Sequence, residues 1–229
     1  MKKTRNLAIG ISFFFLILFV LLSYKDAFSV RTLVPNVEPY PDSLYYSIPA
    51  WNFVSGKGFN MNVYGMKGVS IVPPLYSFYL IPFFAIVRDI RVYYFANMIL
   101  SIGSYLIFSF IVYKQFVSSN RKLVILGTLQ FLYTTSFYIY TMPSLLMAEN
   151  PSLFLILLSM VLFTLPRNKP TIIFFVIVSF AQMLIKFSNI PLTLCLLFLY
   201  AIHLYKQRLY RSAIVTFIIS FICCGAGLF

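Results

Sequence analysis

Residues 72–91 read VPPLYSFYLIPFFAIVRDIR. Whether this stretch crosses a membrane decides the fold. The apolar run 72–87 carries Pro73, Pro74 and Pro82. Proline lacks the amide donor that a helix interior needs, and its ring clashes with the preceding turn. The run stops at Arg88-Asp89-Ile90-Arg91, and the next apolar run begins at once, with almost no loop between them. Two outcomes are open: a membrane span, or a short helix lying in the interface.

The surroundings of the stretch are those of a membrane protein. The chain of 229 residues is 61% hydrophobic and 10% charged, against about a quarter charged in a soluble domain. Its mean hydropathy is +0.89. So much apolar surface cannot be hidden in a core of the chain's own, and lipid must serve as the solvent. Apolar runs fall at 7–23, 72–87, 92–113, 123–141, 152–165, 171–187, 190–205 and 212–229. The net charge of +13 sits in short basic clusters between these runs. That placement reads as membrane orientation and not as nucleic-acid binding.

Charge then decides the proline-rich stretch. If 72–87 does not span and Met1 is cytoplasmic, the short cytoplasmic segments hold eleven Lys and Arg, and the short outer loops hold only Lys186. If 72–87 spans, the split becomes six inside and eight outside. Lys and Arg accumulate in short cytoplasmic loops, so the first arrangement is expected. It is an all-α membrane protein with about seven transmembrane helices. Residues 24–91 form a long first outer loop that carries interfacial helices. All five acids (Asp26, Glu38, Asp42, Asp89 and Glu149) then lie on the outer side.

The N-terminal MKKTR and the apolar run after it could form a signal peptide, with Ala27-Phe28-Ser29 as a loose cleavage site. The length of the run and the polytopic remainder favour an uncleaved first helix with the N-terminus in the cytoplasm. Cys195, Cys223 and Cys224 lie in apolar runs without a CxxC, and His203 has no partner at metal-ligand spacing.

The outer loop runs Tyr40-Pro-Asp-Ser-Leu-Tyr-Tyr-Ser-Ile-Pro-Ala-Trp-Asn-Phe-Val-Ser-Gly-Lys-Gly-Phe and later Gly68-Val-Ser-Ile-Val-Pro-Pro-Leu-Tyr. An early acid, a Tyr pair, a Gly-x-Gly and a Pro-Pro-Leu-Tyr together resemble the first outer loop of the GT-C superfamily. These are polytopic glycosyltransferases, and the nearest pattern is the dolichyl-phosphate-mannose protein mannosyltransferase and aminoarabinose transferase group. Met147-Ala-Glu-Asn-Pro resembles that group's second outer loop. Leu184-Ile-Lys-Phe-Ser-Asn-Ile-Pro-Leu resembles its lysine at the end of a later span. The resemblance covers residues 40–190. It implies one transmembrane module over 1–229 in the cell membrane, as the N-terminal portion of a longer enzyme. That enzyme would move a sugar from a polyprenyl-phosphate donor to a glycan, lipid or protein acceptor at the outer face.

The resemblance also implies roles for residues. Asp42 would be the catalytic base, since a carboxylate in a membrane-proximal cavity can take an acceptor's proton. By residue type, Pro-Asp-Ser is equally a turn or helix cap. Glu149 would bind acceptor or metal, and it also suits a helix start. Lys186, in an apolar stretch, would meet the donor phosphate or snorkel to the interface. Lys67 would share the phosphate role or contact lipid headgroups. Tyr45 and Tyr46 would stack on sugar or serve as interfacial aromatics. Many relatives carry a second acid beside the first. Here Ser43 follows Asp42, which leaves a divalent metal and a metal-free site as alternatives. A transporter or lipid flippase would instead need polar groups near the bilayer midplane, where Asn97 and Gln130 are the candidates. A non-catalytic membrane scaffold is the third reading.

Overall fold

A computed structural model describes residues 2–28, 42–62, 68, 72–115, 121–166, 168–207, 209, 212–216 and 218, with the side chains of 2, 3 and 42 outside the description. Among the described residues there are helices and turns and no strand. The helices are α1 (Lys2–Ser23), α2 (Asp42–Val54), α3 (Leu75–Ile86), α4 (Tyr93–Gln115), α5 (Lys122–Thr135), α6 (Phe137–Thr141), α7 (Glu149–Thr164), α8 (Lys169–Ile185) and α9 (Ile190–Lys206).

Three stretches are long and apolar enough to cross a membrane: Thr4–Ser23, Ile90–Gln115 and Phe187–Lys206. A fourth is broken, with Lys122–Thr135 and Phe137–Ser144 meeting at 54°. The Thr135 hydroxyl donates to the Phe131 carbonyl at 2.8 Å, a local bond that competes with helix continuation and bends it. The expected spans at 152–165 and 171–187 form helices of 16 and 17 residues, about 24–26 Å long at 1.5 Å per residue. The proline-rich stretch forms α3, only 12 residues or about 18 Å, well under a hydrocarbon core of about 30 Å. Pro74 stands just before its first residue and Pro82 lies inside it.

Many large apolar side chains are exposed while several amides and hydroxyls are buried. Leu7, Ile9, Phe13, Phe14 and Leu21 of α1 are exposed, whereas Asn97, Gln130, Asn150, Gln182 and Thr193 are buried. Lipid takes the apolar outer faces, and inside Asn150 bonds to the Asn97 carbonyl and Thr193 to Gln182. The buried stripe of α4 holds Asn97, Ser101, Ser104 and Ser109, the small polar residues that let membrane helices approach closely. At Gly103, on the same helix, a Cβ would come within 2.8 Å of the Phe154 ring. A larger residue there would have to push the Phe154 ring of α7 aside.

Hydrogen bonds give each helix its direction. Tyr94 at the start of α4 donates to Ser23 O at the end of α1 (3.0 Å), so the two are antiparallel. Asn150 at the start of α7 donates to Asn97 O (2.8 Å), and Lys114 at the end of α4 donates to Thr164 O at the end of α7 (3.1 Å). Helices α4 and α7 are therefore parallel. Helices α8 and α9 form a hairpin, tied by Thr193 donating to Gln182 Oε1 (3.0 Å). Asp26, Asp89 and Glu149 consequently lie at one end of the bundle. Arg5, Lys114, Lys122, Lys169 and Lys206 lie at the other.

Helices α2 and α3 pack at the end that holds Asp26, Asp89 and Glu149. Tyr46, Ala50, Tyr76, Leu80 and Phe84 share one buried cluster with Tyr93, Leu146, Ala148 and Ile185. Helix α2 stops at Gly56, whose φ of +75° suits glycine. Gly56 N donates to Phe53 O (3.1 Å) and Lys57 N to Asn52 O (2.9 Å), the paired bonds of a Schellman motif. The Asn52 side chain then holds the turn through Asn60 O (3.0 Å) and Asn62 O (2.9 Å). Phe59 stacks on Phe78 at 4.3 Å and fastens the turn to α3.

Candidate functional site

Glu149 is the first residue of α7, where a negative charge meets the positive end of the helix dipole. Pro151 follows within the first turn, where a missing amide costs no helical bond. Lys186 ends α8 in extended conformation (φ −155°, ψ 125°) and leads into the turn Phe187–Asn189. The antiparallel course of α7 and α8 brings these ends together, and Lys186 Nζ donates to Glu149 Oε1 in an ion pair. The side chains keep 35% and 36% of their surface exposed. A pair this open is worth little to stability, within about 1 kcal/mol. Both charges stay within reach of a ligand.

A buried polar network holds the turn that carries Lys186. Gln182 Nε2 donates to Ser159 Oγ (2.6 Å) and Leu155 O (3.1 Å) on α7. Asn189 Nδ2 donates to Ser152 Oγ (3.0 Å) and Gln182 O (3.3 Å). A second network holds the approach to Glu149. Asn97 Nδ2 donates to Leu145 O (2.8 Å), and Asn97 Oδ1 accepts from the Tyr76 hydroxyl (2.7 Å). Ser101 Oγ donates to Asn150 Oδ1 (3.0 Å). These partners were not foreseen from sequence. The signal was there: Asn97 and Gln182 stand among apolar residues, where an amide must find an interior partner. Asn97 and Gln130 bond within the protein, Gln130 Nε2 to Ser12 Oγ at 2.7 Å.

The remaining site residues fall as follows. Asp42 opens α2, with its side chain outside the described residues, as is all of Lys67. Tyr46 is 5% exposed and lies edge-on to Tyr76 at 5.2 Å, so it fixes α2 to α3. Tyr45, its neighbour, keeps part of its surface exposed. Burial pushes the Tyr79 phenol up to about 12 and Tyr76 well above its usual value. Both therefore stay protonated donors, Tyr79 to Ala96 O at 2.7 Å. Asp89 is held by Arg91, whose Nε donates to Oδ1 and Oδ2 at 3.0 Å each. That guanidinium keeps the Asp89 carboxyl below its usual range.

Among the described residues no three His, Cys, Asp or Glu side chains gather as metal ligands. Glu149 is engaged by the Lys186 ammonium. No protein-family model, curated protein or solved structure matches the chain.

Proposed function

We propose that this protein is a multi-pass glycosyltransferase of the cell membrane, with seven spans and its N-terminus in the cytoplasm. It would transfer a sugar from a polyprenyl-phosphate to a glycan, lipid or protein acceptor at the outer face. The observation that carries the reading is the Glu149–Lys186 pair, exposed at the bundle end where α2 and α3 pack. The parallel course of α4 and α7 also supports seven spans, since it requires a crossing between them, which the bent pair α5–α6 can supply.

In this reading Asp42 removes the proton from an acceptor hydroxyl. The acceptor oxygen attacks the anomeric carbon, the bond from that carbon to the phosphate oxygen breaks, and polyprenyl phosphate leaves with the electron pair. Lys186 compensates the leaving phosphate, a fixed positive charge placed where negative charge grows. Glu149 orients Lys186 before the donor arrives and then takes the acceptor. Tyr45 offers a face to the sugar, and Lys67 adds charge at the donor.

The direct test is binding of polyprenyl phosphate to the purified protein. Lys186→Met should weaken binding by about 1.5–3 kcal/mol, the cost of one hydrogen bond to a charged group. Lys186→Arg should recover part of it, because the charge returns with altered geometry. Glu149→Gln should bind at least as tightly as wild type, since it removes the competing anion. Wild-type affinity in Lys186→Met would overturn the phosphate assignment and favour a transporter or scaffold.

Sidedness is tested with single cysteines at Ser55, Arg88, Ser119 and Gln207 in a background lacking Cys195, Cys223 and Cys224. An impermeant maleimide applied from outside should label the first two only. A protected Arg88 site with a labelled Ser119 site would mean that 72–87 crosses the membrane, and the proposed site would come apart.

A further inference from the structure

At the basic end of the bundle, far from Glu149 and Lys186, an open groove of about 390 Å³ runs between α1 and α4. On α1 it is lined by Arg5, Ile9, Ser12 and Leu16, at helical spacing along one face; on α4 by Leu106 and Tyr113. From Arg5 to Leu16 the groove extends about 16 Å, at 1.5 Å per residue. That is roughly half of a 30 Å hydrocarbon core, the depth of one leaflet. Its walls are almost wholly apolar, and its mouth is cationic. Among the described residues Arg5 has no hydrogen bond or ion pair, and Lys122 lies over the Tyr113 ring at 4.5 Å. The described acids Asp26, Asp89 and Glu149 belong to the opposite end.

We propose that this groove binds one acyl chain of an anionic glycerophospholipid from the leaflet at the basic end, with the lipid's phosphate on Arg5. A neutral or zwitterionic lipid would fill the same apolar length but would leave the cation without a net counter-charge. The anionic lipid satisfies both, since apolar burial holds the chain and a basic residue at the surface selects the headgroup. The inference does not depend on the transferase reading, because it uses only the α1–α4 groove and the charge at its mouth.

The test is native mass spectrometry of the full chain released from nanodiscs containing equal phosphatidylglycerol and phosphatidylcholine of the same acyl length. Wild type should retain phosphatidylglycerol about fivefold more than phosphatidylcholine, the preference expected for one basic residue near the surface. Arg5→Gln should abolish the preference. Leu106→Trp, at a half-exposed position that a larger ring can occupy, should lower retention of both lipids. Lys57→Gln, at the other end, should behave as wild type. Thermal unfolding in detergent verifies that each variant is folded. Equal retention of the two lipids by wild type, or an unchanged preference in folded Arg5→Gln, would reduce the groove to an ordinary lipid-filled crevice. Unchanged retention in folded Leu106→Trp would place the lipid elsewhere.

Discussion

The Asp42→Asn protein should transfer sugar more slowly than wild type by on the order of a hundredfold, the scale of lost general-base catalysis. Expression, helix content and unfolding temperature should be unchanged. The substitution is informative because Asp42 is the first residue of α2. If its role were only to start the helix, asparagine would serve about as well, because both side chains accept from the first free amides. Loss of turnover with retained stability therefore separates a base from a cap. The measurement is initial rate of sugar transfer under saturating donor, paired with binding of polyprenyl phosphate. Turnover equal to wild type would leave Asp42 as a cap and remove the base from the proposed reaction. A loss of binding as large as the loss of rate would move Asp42 from proton transfer to donor recognition.

The second large effect is expected at Asn97, and it falls on stability. Its side chain accepts from the Tyr76 hydroxyl and donates to Leu145 O. It thereby ties α3 and α4 to the segment that leads into α7. Both Asn97 and Tyr76 are fully buried. Asn97→Ala should lower unfolding stability in detergent by about 2–3 kcal/mol, because it leaves a buried hydroxyl and a part-buried carbonyl without partners. Hydrogen bonds between membrane helices average less than this, but here two orphans are created at once. Adding Tyr76→Phe to Asn97→Ala should restore part of the loss, since deleting both partners removes the unsatisfied group. A loss under about 0.5 kcal/mol, or no recovery in the double variant, would show that the network is not what fixes α3 on the bundle.

Some of this organisation could be read from residues alone. Composition requires lipid as solvent, because a chain 61% hydrophobic and 10% charged has no aqueous way to cover itself. The prolines of 72–87 left a span and a short helix open, and α3 has 12 residues. The basic clusters foretold two unlike ends. Hydrogen bonds between helices place Asp26, Asp89 and Glu149 at one end, beside Lys25, Lys57, Arg88, Arg91 and Lys186, and leave only basic residues among the described charges at the other. Run lengths were a poorer guide. The apolar run 123–141 hides a 54° break, which depends on which carbonyls the threonine hydroxyls take. The helices at 149–164 and 169–185 are shorter than the three stretches long enough to cross.

Pairing depends on the tertiary structure. Glu149 and Lys186 are 37 residues apart, and nothing in their local sequence specifies contact. They meet because α7 and α8 run antiparallel with Gln182 and Asn189 locking the turn onto α7. Likewise Tyr45 and Tyr46 look alike in sequence, and the packing of α2 on α3 buries one and leaves the other partly open. Local chemistry in a chain determines its solvent, its helices and the end at which its basic clusters gather. Which polar groups meet depends on helix direction and packing, because in lipid the apolar faces are interchangeable and only the few interior hydrogen bonds choose a partner.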